Sequence, residues 1–390
     1  MMVESLNKTY CSAAFHHIYS ESSGAYKLCC HSSSKNEITY NTSETPPFEF
    51  FFSPEMKDIR ERMIMGEEID GCQKCYNIEK NGYLSYRQTR FNKKYVIDEV
   101  KDVELKLRIF GNHCNLSCYM CHPFNSSTRA KELKEIGIYD EISMDNHYGV
   151  EINPLKWKII QDDIINNISL VKEIHITGGE PFLLPKHYKF LDAIPEKYGK
   201  DITLIYDTNL TSLDYKGKSI MNYCDRFKEI RLNVSCDHFK EKLEFIRYPI
   251  DYKSFEKNVE TILNSSIKIS IFNITVSILN AEDLYEIKDY YLSRFGDKIK
   301  LKYNSVNSPL YLNIKNHPKK TQLLSLYEND RDMNYVCRSL KLPNNYEEWN
   351  YGLDYIKKLN DYRNTNFEDL WPDYKKIEVF ASDKDILPIL

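Results

Sequence analysis

Residues 103–121 of the chain read VELKLRIFGNHCNLSCYMC. Apolar and polar side chains alternate over residues 103–110, which predicts a β-strand with one buried face. Cys114, Cys118 and Cys121 follow at a C-x3-C-x2-C spacing, at which thiolates can converge on one iron–sulfur cluster. Because a four-iron cluster takes four ligands, three cysteines leave one iron open to a small molecule, as at catalytic metal sites. A zinc knuckle or three buried thiols are the alternative explanations of the spacing.

A second motif ends the next predicted strand. Residues 171–177 read VKEIHIT and are followed by Gly178, Gly179, Glu180 and a proline. Paired glycines after a strand let the backbone approach a ligand closely, and the Glu180 carboxylate can bind an ammonium group. Alone, this GGEP sequence predicts only a turn, but its place on the strand after the cysteine triplet favours a binding role.

Together, the triplet and the GGEP sequence resemble the radical S-adenosylmethionine (radical SAM) superfamily. The resemblance implies that the three cysteines ligate a [4Fe-4S] cluster whose open iron binds the amino and carboxylate groups of SAM. It also implies that the GGE strand end contacts the methionine amino group. Met120 stands where that family usually has an aromatic residue, with Tyr119 one position earlier.

Composition narrows the class of protein. A net charge of -4 and a pI near 6.2 argue against a nucleic-acid-binding surface, which needs concentrated basic residues. No apolar run approaches the ~20 residues of a membrane helix, and the first residues lack the apolar core of a signal peptide. The chain has 11 cysteines, and we expect a cytoplasmic protein in which thiolates bind metal rather than form disulfides.

The first hundred residues contain a second set of cysteines. A hairpin is predicted over residues 15–30, with Ser-Ser-Gly at its turn, and a helix over residues 54–65. The set itself consists of Cys11, Cys29, Cys72 and Cys75. The last two have the C-x2-C spacing of metal ligands.

The order of these cysteines resembles the twitch domain, the shortened form of the SPASM domain, which binds an auxiliary [4Fe-4S] cluster. The resemblance implies that Cys11, Cys29, Cys72 and Cys75 are its four ligands and that one auxiliary cluster is present. It also points to the radical SAM subgroup whose twitch domain precedes the barrel. A structural zinc site is the alternative, and Cys30 remains a candidate in place of Cys29.

Residues 101–310 alternate predicted strands and helices, which indicates an α/β fold with a parallel sheet. Six βα units would form a partial (β/α)6 barrel, as in radical SAM proteins. We thus expect an iron–sulfur domain at residues 1–100, a barrel at 101–310 and a helical extension at 311–390. Asn280 and Asp283 resemble a capping box for the helix that ends at Phe295.

In such barrels the chemistry lies at the carboxyl ends of the strands. The residues nominated by this rule are Glu180, Asp207, Asn209, Ser235, Asp237, Ser277 and Asn304. The family resemblance implies that Asn209 and Ser235 lie near the SAM ribose or methionine and that Arg247 pairs with the SAM carboxylate. Strand-end caps and turn hydrogen bonds are the alternative roles for all of them.

Two further groups of residues are expected to be structural. Cys224, Cys236 and Cys337 are predicted to be small core residues. In the helical extension, aromatic and apolar residues are predicted to share one packed helix face, which covers the open edge of the barrel. This stripe consists of Trp349, Tyr351, Tyr355 and Leu359.

The sequence therefore predicts an enzyme that cleaves SAM to a 5′-deoxyadenosyl radical and abstracts a hydrogen atom from its substrate. An auxiliary cluster with four protein ligands suits electron transfer, which favours an oxidation. The resemblance to radical SAM alcohol dehydrogenases with a single auxiliary cluster implies a carbohydrate- or cyclitol-like alcohol as the substrate, with a flavodoxin- or ferredoxin-type electron donor. Modification of a ribosomal peptide is the second hypothesis. A zinc-stabilised, non-catalytic binding protein is the third, with His113 or His122 as the fourth ligand. The residues single out no general base.

Overall fold

The computed structural model describes residues 8–21, 24–33, 40–41, 45–92, 100, 102–138 and 154–378. The chain divides into two compact units. The first consists of residues 1–113, 149–207 and 213–231, and the second of residues 114–148, 208–212 and 232–390. The three-part division of the chain stays a prediction.

The strands, numbered along the chain, are β1 (His17–Ser20), β2 (Tyr26–Lys27), β3 (Tyr40–Asn41), β4 (Val103–Leu107), β5 (Val171–Ile176), β6 (Thr203–Thr208), β7 (Asp214–Tyr215), β8 (Lys218–Ser219), β9 (Glu229–Ser235), β10 (Lys268–Val276) and β11 (Leu301–Ser305). The α-helices are Ala13–His16, Pro47–Phe51, Pro54–Met65, Gln73–Lys80, Ser127–Glu135, Pro154–Asn166, Pro185–Ala193, Glu196–Gly199, Lys240–Ile246, Tyr252–Leu263, Leu284–Phe295, Lys320–Tyr327, Asn334–Leu340, Tyr346–Arg363 and Phe367–Leu370. This alternation confirms the predicted α/β class and the helical C-terminal region.

In the first unit the strands lie in the order β6-β5-β4-β1-β2-β3. Strands β4, β5 and β6 run parallel to one another, and β1 runs parallel to β4. The predicted hairpin is confirmed, because β1 and β2 pair in antiparallel fashion with Tyr19 opposite Lys27. The N-terminal hairpin therefore extends the sheet that leads into the cysteine triplet.

The two faces of β4, β5 and β6 differ in polarity. Leu105, Ile174 and Tyr206 are fully buried, and the Tyr206 ring packs against His187 of the helix Pro185–Ala193. The opposite face, to which the alternate side chains point, is mostly polar and half-buried, although it includes the apolar Ile205 of β6. We call its polar residues the polar sheet face; they are Glu104, Lys106, Glu173, His175 and Asp207.

In the second unit, β10 and β11 pair in parallel. Ser305 at the end of β11 donates a hydrogen bond from Oγ to the carbonyl oxygen of Tyr335, at 3.3 Å, so the helix Asn334–Leu340 lies beside this strand. Trp349 anchors the core of the unit at 1% exposure. Tyr351, by contrast, is 54% exposed, and its assignment to the buried stripe was wrong. It lies two positions from Trp349, about 200° around the helix.

The capping box predicted for the helix Leu284–Phe295 does not form. Asp283 occupies the N-cap position without a side-chain capping bond. Asn280 instead accepts a hydrogen bond from the Ser277 amide at 2.8 Å and donates one to the Asp237 carbonyl at 2.8 Å. Asn280 thus joins two strand ends.

None of the helices in the described ranges combines the length and apolar character that a membrane span requires.

Candidate radical SAM site

Two of the three triplet thiols are buried. Cys114 and Cys118 are 8% and 7% exposed, and Cys121 is half-buried. The Cys114 sulfur accepts a hydrogen bond from the Leu116 amide at 3.5 Å and another from Asn209 Nδ2 at 3.6 Å. N–H donors directed at sulfur stabilise a thiolate and are among the features that tune iron–sulfur clusters.

Arg247 donates a hydrogen bond to the second buried thiol, that of Cys118. Its Nη1 donates to the Cys118 sulfur at 3.8 Å, and its Nη2 lies 2.8 Å from Asp237 Oδ2. Asp237 is fully buried and also accepts from the Thr275 amide at 2.6 Å. Burial raises the pKa of the Cys118 thiol, while the Arg247 guanidinium partly offsets that rise. The Arg247–Asp237 pair joins residues ten positions apart, a pairing that sequence reasoning missed.

The backbone of the cysteine loop is fixed by neighbouring segments of the second unit. The Ser117 amide donates to the Tyr248 carbonyl at 2.6 Å, and the Tyr119 amide donates to the Ile246 carbonyl at 3.0 Å. Ser126 Oγ donates to the Leu116 carbonyl at 2.8 Å. These bonds hold the loop in one conformation before any cofactor binds.

The GGE turn of the first unit has the backbone geometry that only glycine adopts readily. Gly178 and Gly179 have φ values of 93° and 57°. A Cβ atom on Gly179 would lie 2.4 Å from the His113 carbonyl oxygen, and the Glu180 amide donates to that oxygen at 2.8 Å. Glu180 is 1% exposed, and its Oε1 accepts from the Phe182 amide at 3.3 Å. The turn thus packs on the residue that directly precedes Cys114 in the sequence.

Other nominated strand-end residues have structural roles. Ser277 lies in a turn, where its Oγ accepts from the Leu279 amide at 3.3 Å. Asn304 Nδ2 donates to Asn273 Oδ1 at 2.5 Å, which links β11 to β10. Ser235 is half-buried at the end of β9. Cys236 and Cys337 are buried, as expected of small core residues, whereas Cys224 is only half-buried.

The N-terminal thiols approach one another within the first unit. Burial, followed by the neighbouring Cys29 and Cys72, raises the pKa of Cys11. Burial, with Cys30 and Cys75 adding to it, raises the pKa of Cys29 to about 12. Cys11, Cys29 and Cys75 are buried, whereas Cys30 is exposed. The fold therefore brings Cys11 near Cys72, which is 61 positions away in the sequence, and Cys29 near Cys75.

Across the ranges that the structure describes, no three His, Cys, Asp or Glu side chains are placed to hold a metal ion. His122, a possible fourth zinc ligand, uses Nδ1 to accept from the Phe124 amide at 3.2 Å. The thiols of the triplet nevertheless fit a [4Fe-4S] cluster in their chemistry, because N–H donors point at two of the three sulfurs.

The polar sheet face contains a histidine–carboxylate pair. His175 Nε2 lies 2.9 Å from Asp207 Oδ1, and Lys106 Nζ lies 4.0 Å from the other carboxylate oxygen. Glu173, on the same face, has a pKa raised by burial and by the neighbouring Glu104. The strand-end rule nominated Asp207 but missed His175. The alternation of VKEIHIT could have found it, because it puts Glu173 and His175 on one face.

Part of this chain is similar to known proteins. The family model described as the radical SAM superfamily matches residues 109–291. The chain is 27% identical over 121 residues to a GTP 3′,8-cyclase of Campylobacter lari, which covers 31% of this chain and 36% of the relative. It is 27% identical over 194 residues to a probable GTP 3′,8-cyclase of Methanocaldococcus jannaschii, covering 46% of this chain and 52% of the relative. The chain thus spans only about a third to a half of these relatives.

Solved structures with a similar fold include native anSMEcpe with bound AdoMet, at a TM-score of 0.42 and 18% identity over 58% of this chain and 59% of that one. Another is Streptococcus suis SuiB bound to the precursor peptide SuiA, at a TM-score of 0.37 and 15% identity over 86% of this chain and 55% of that one. The cysteine triplet, the GGE turn and the match over residues 109–291 lead to one conclusion: this chain carries a radical SAM domain.

Proposed function

We propose that this radical SAM enzyme oxidises a carbohydrate- or cyclitol-like alcohol to a ketone. The observation that carries the radical chemistry in this proposal is the set of N–H donors directed at the buried sulfurs of Cys114 and Cys118. With Cys121, these thiols would hold a [4Fe-4S] cluster that has one open iron.

When bound, the cluster and SAM supply a 5′-deoxyadenosyl radical that takes a hydrogen atom from the substrate carbon. The substrate radical then loses its hydroxyl proton and one electron to become a ketone. A second cluster, held by four N-terminal thiols, would accept that electron; these thiols are Cys11, Cys29, Cys72 and Cys75. Cys29 is the better candidate ligand than Cys30, because it is buried beside Cys75 whereas Cys30 is exposed.

Several side chains of the domain would hold SAM. Glu180 would bind the methionine ammonium group, since its carboxylate is buried in the GGE turn formed with Gly178 and Gly179. Asn209 and Ser235 would contact the ribose or the methionine. Arg247 would pair with the SAM carboxylate. It lies between Asp237 and Cys118, and its positive charge would also stabilise the Cys118 thiolate.

The polar sheet face would receive the substrate and its proton. We assign His175 as the proton acceptor, because its imidazole lies 2.9 Å from the Asp207 carboxylate, which stabilises the protonated form. Lys106, 4.0 Å from Asp207, and Glu173 supply hydrogen bonds suited to a polyol. The set has three carboxylates against Lys106 and His175. Arg90 Nη2 bridges two of these carboxylates, at 2.8 Å from Glu104 and 3.1 Å from Glu173, so this face has no excess of positive charge.

That charge balance distinguishes the alternative substrates. The relatives are named for GTP, and a triphosphate needs several cationic partners, which the polar sheet face does not offer. Modification of a ribosomal peptide is the second candidate. A zinc-stabilised binding protein is the third, and it requires that no SAM be cleaved.

The first test of the proposal is anaerobic. The protein is reconstituted with iron and sulfide, reduced with dithionite and supplied with SAM, and 5′-deoxyadenosine is quantified. We expect 5′-deoxyadenosine from the wild type and none from the Cys114→Ala/Cys118→Ala/Cys121→Ala variant, which loses the cluster that binds SAM. Bound zinc, together with no SAM cleavage in the presence of any candidate substrate, would contradict the proposal.

The second test identifies the substrate and the base. Cyclitols and sugars, GTP and short peptides are compared as accelerators of SAM cleavage, and we expect the polyol class to give the greatest rate. With that substrate, His175→Gln should still form 5′-deoxyadenosine but lower the rate of ketone formation by about 10²-fold or more. Equal ketone formation by His175→Gln and the wild type would rule out His175 as the base.

A further inference from the structure

A buried ion triad lies beside the cysteine loop in the second unit. Arg129 Nη1 is 2.6 Å from Glu132 Oε2, and Arg363 Nε is 2.6 Å from Glu132 Oε1. The side chains of Arg129, Glu132 and Arg363 are 0%, 7% and 0% exposed. Because Arg363 ends the helix Tyr346–Arg363, the C-terminal region supplies one member of the triad.

Both arginines contact the loop on either side of Cys118. Arg363 Nη2 donates to the carbonyl oxygen of Ser117 and, at 3.2 Å, approaches its Oγ. The Arg363 guanidinium lies over the Tyr119 ring, 4.5 Å from the ring centre. Arg129 Nη2 donates to the Tyr119 carbonyl at 3.4 Å. The two residues that flank Cys118 in the sequence are therefore held by the triad.

The triad has an unbalanced charge. Two guanidinium groups face one carboxylate, which leaves one net positive charge in the interior. Within the described part of the chain, Arg129 Nε and Arg363 Nη1 have no hydrogen-bond partner. Charges in an interior of low polarity act over longer distances than charges in water. The unbalanced positive charge can therefore stabilise a negative group held by the neighbouring loop.

We propose that the triad of Arg129, Glu132 and Arg363 positions the loop around Cys118 and raises the reduction potential of the cluster held there. The inference rests on the proposed function, in which Cys114, Cys118 and Cys121 bind a [4Fe-4S] cluster. Reduction adds one negative charge to that cluster, and a nearby positive charge favours the reduced state. Arg363 is thus a positioning residue that acts through the loop, and the C-terminal helix is part of the radical site.

Opposite changes of charge test the inference. Wild type, Arg363→Gln, Glu132→Gln and the control Arg294→Gln are reconstituted anaerobically; Arg294 is an exposed arginine paired with Glu256. EPR-monitored redox titration gives the midpoint potential of the cluster whose spectrum changes when SAM is added. We expect a lower potential in Arg363→Gln, a higher one in Glu132→Gln and an unchanged one in Arg294→Gln. Structural damage alone would not produce shifts of opposite sign.

A second measurement addresses position rather than charge. Arg363→Lys keeps the positive charge but loses the planar fork that contacts Ser117 and Glu132 together. We expect this variant to keep a potential near that of the wild type, with faster amide hydrogen exchange across residues 114–121. If Arg363→Gln fails to fold, Arg363→Lys still tests the positioning role.

The outcomes separate the two proposals. If the wild type shows no cluster that responds to SAM, the proposed function fails. If that cluster is present but its potential is the same in Arg363→Gln and Glu132→Gln, or shifts in one direction in both, the electrostatic inference is wrong. Unchanged hydrogen exchange in Arg363→Lys would overturn the positioning role.

Discussion

Gly179 lies where the GGE turn touches the chain that leads into the cysteine triplet. Its φ of 57° is left-handed, and an added Cβ would lie 2.4 Å from the His113 carbonyl oxygen. Two separate constraints therefore act on this residue. The first is the backbone conformation, which any residue with a side chain adopts at a cost of about 1–2 kcal/mol. The second is the contact with backbone atoms, which cannot rotate away.

Gly179→Ala and Gly217→Ala separate these constraints. Gly217 also has a left-handed φ, of 79°, but no atom lies within 4 Å of its Cβ position. We expect Gly217→Ala to lower the free energy of unfolding by about 1 kcal/mol, and Gly179→Ala to lower it further.

Gly179→Ala should also weaken SAM binding, measured by calorimetry on the reconstituted protein, because the turn must move away from His113. Gly217→Ala should bind SAM as the wild type does. Equal effects of the two substitutions on unfolding and on SAM binding would show that the contact with His113 has no role.

Three residues that the sequence suggested one by one, Asn209, Arg247 and Asp237, take part in hydrogen bonds around the cysteine triplet. Asn209 and Arg247 were inferred from a family resemblance, and both donate to cysteine sulfurs of the triplet. Their contact with SAM stays a proposal. Asp237 was nominated as a strand-end residue, and it turns out to hold Arg247 in place at 2.8 Å.

The helix Pro185–Ala193 packs on the sheet of the first unit through a buried histidine. His187 is fully buried, and its Nε2 lies 2.8 Å from the Tyr206 hydroxyl of β6. Burial lowers the pKa of His187 from its usual 6.5 to about 3. The imidazole is therefore neutral in the folded protein at any pH at which the protein is studied.

The burial of the neutral His187 imidazole makes the free energy of unfolding depend on pH. Above pH 6.5 the histidine is neutral in both folded and unfolded chains, so it adds no pH dependence. Below pH 6.5 the unfolded chain binds a proton that the folded chain excludes, and stability falls by about 1.4 kcal/mol per pH unit. His187→Gln removes the imidazole that binds this proton in the unfolded chain. The glutamine side chain can keep a hydrogen bond to the Tyr206 hydroxyl.

Urea unfolding of the wild type and His187→Gln between pH 7 and pH 5 measures the effect. We expect the wild type to lose more stability than the variant over this range. Parallel curves for the two proteins would mean that His187 is protonated in the folded state.

Elements with strong local patterns were predicted well. The helix Pro54–Met65 has the predicted bounds, because Pro54 follows the N-cap Ser53, which accepts from the Met56 amide, and Gly66 ends the helix in a left-handed conformation. Asn280 was misassigned because an Asn near a helix start satisfies the same pattern whether it caps the helix or bonds to another strand. Its partner Asp237 is 43 positions away, and no local pattern reveals it.

Over the whole molecule, the two predicted sets of thiols fall in different compact units. The triplet belongs to the second unit, and Cys11, Cys29, Cys72 and Cys75 belong to the first. Each set can therefore be removed without changing the ligands of the other. The exposed Cys30 lies next to the buried Cys29 and provides a matched control in the same segment.

Cys29→Ser and Cys30→Ser test the auxiliary cluster. If Cys29 is a ligand, Cys29→Ser should lower the iron content from about eight to about four atoms per chain, while Cys30→Ser keeps about eight. The measurement is iron analysis of anaerobically reconstituted protein, with zinc determined on the same samples. About four irons and one zinc in the wild type would instead assign the N-terminal thiols to a structural zinc site.

The sequence by itself indicated the radical SAM domain, the α/β class and the candidate ligands, because cysteine spacing, a glycine pair and apolar alternation are local features. Only the tertiary structure decided which distant groups meet. Ser117 and Arg363 are 246 positions apart yet hydrogen-bonded, and the His175–Asp207 pair depends on the alignment of two neighbouring strands. Such contacts form because buried charged and polar groups must find hydrogen-bond partners, and the packing of the chain decides which partners are within reach.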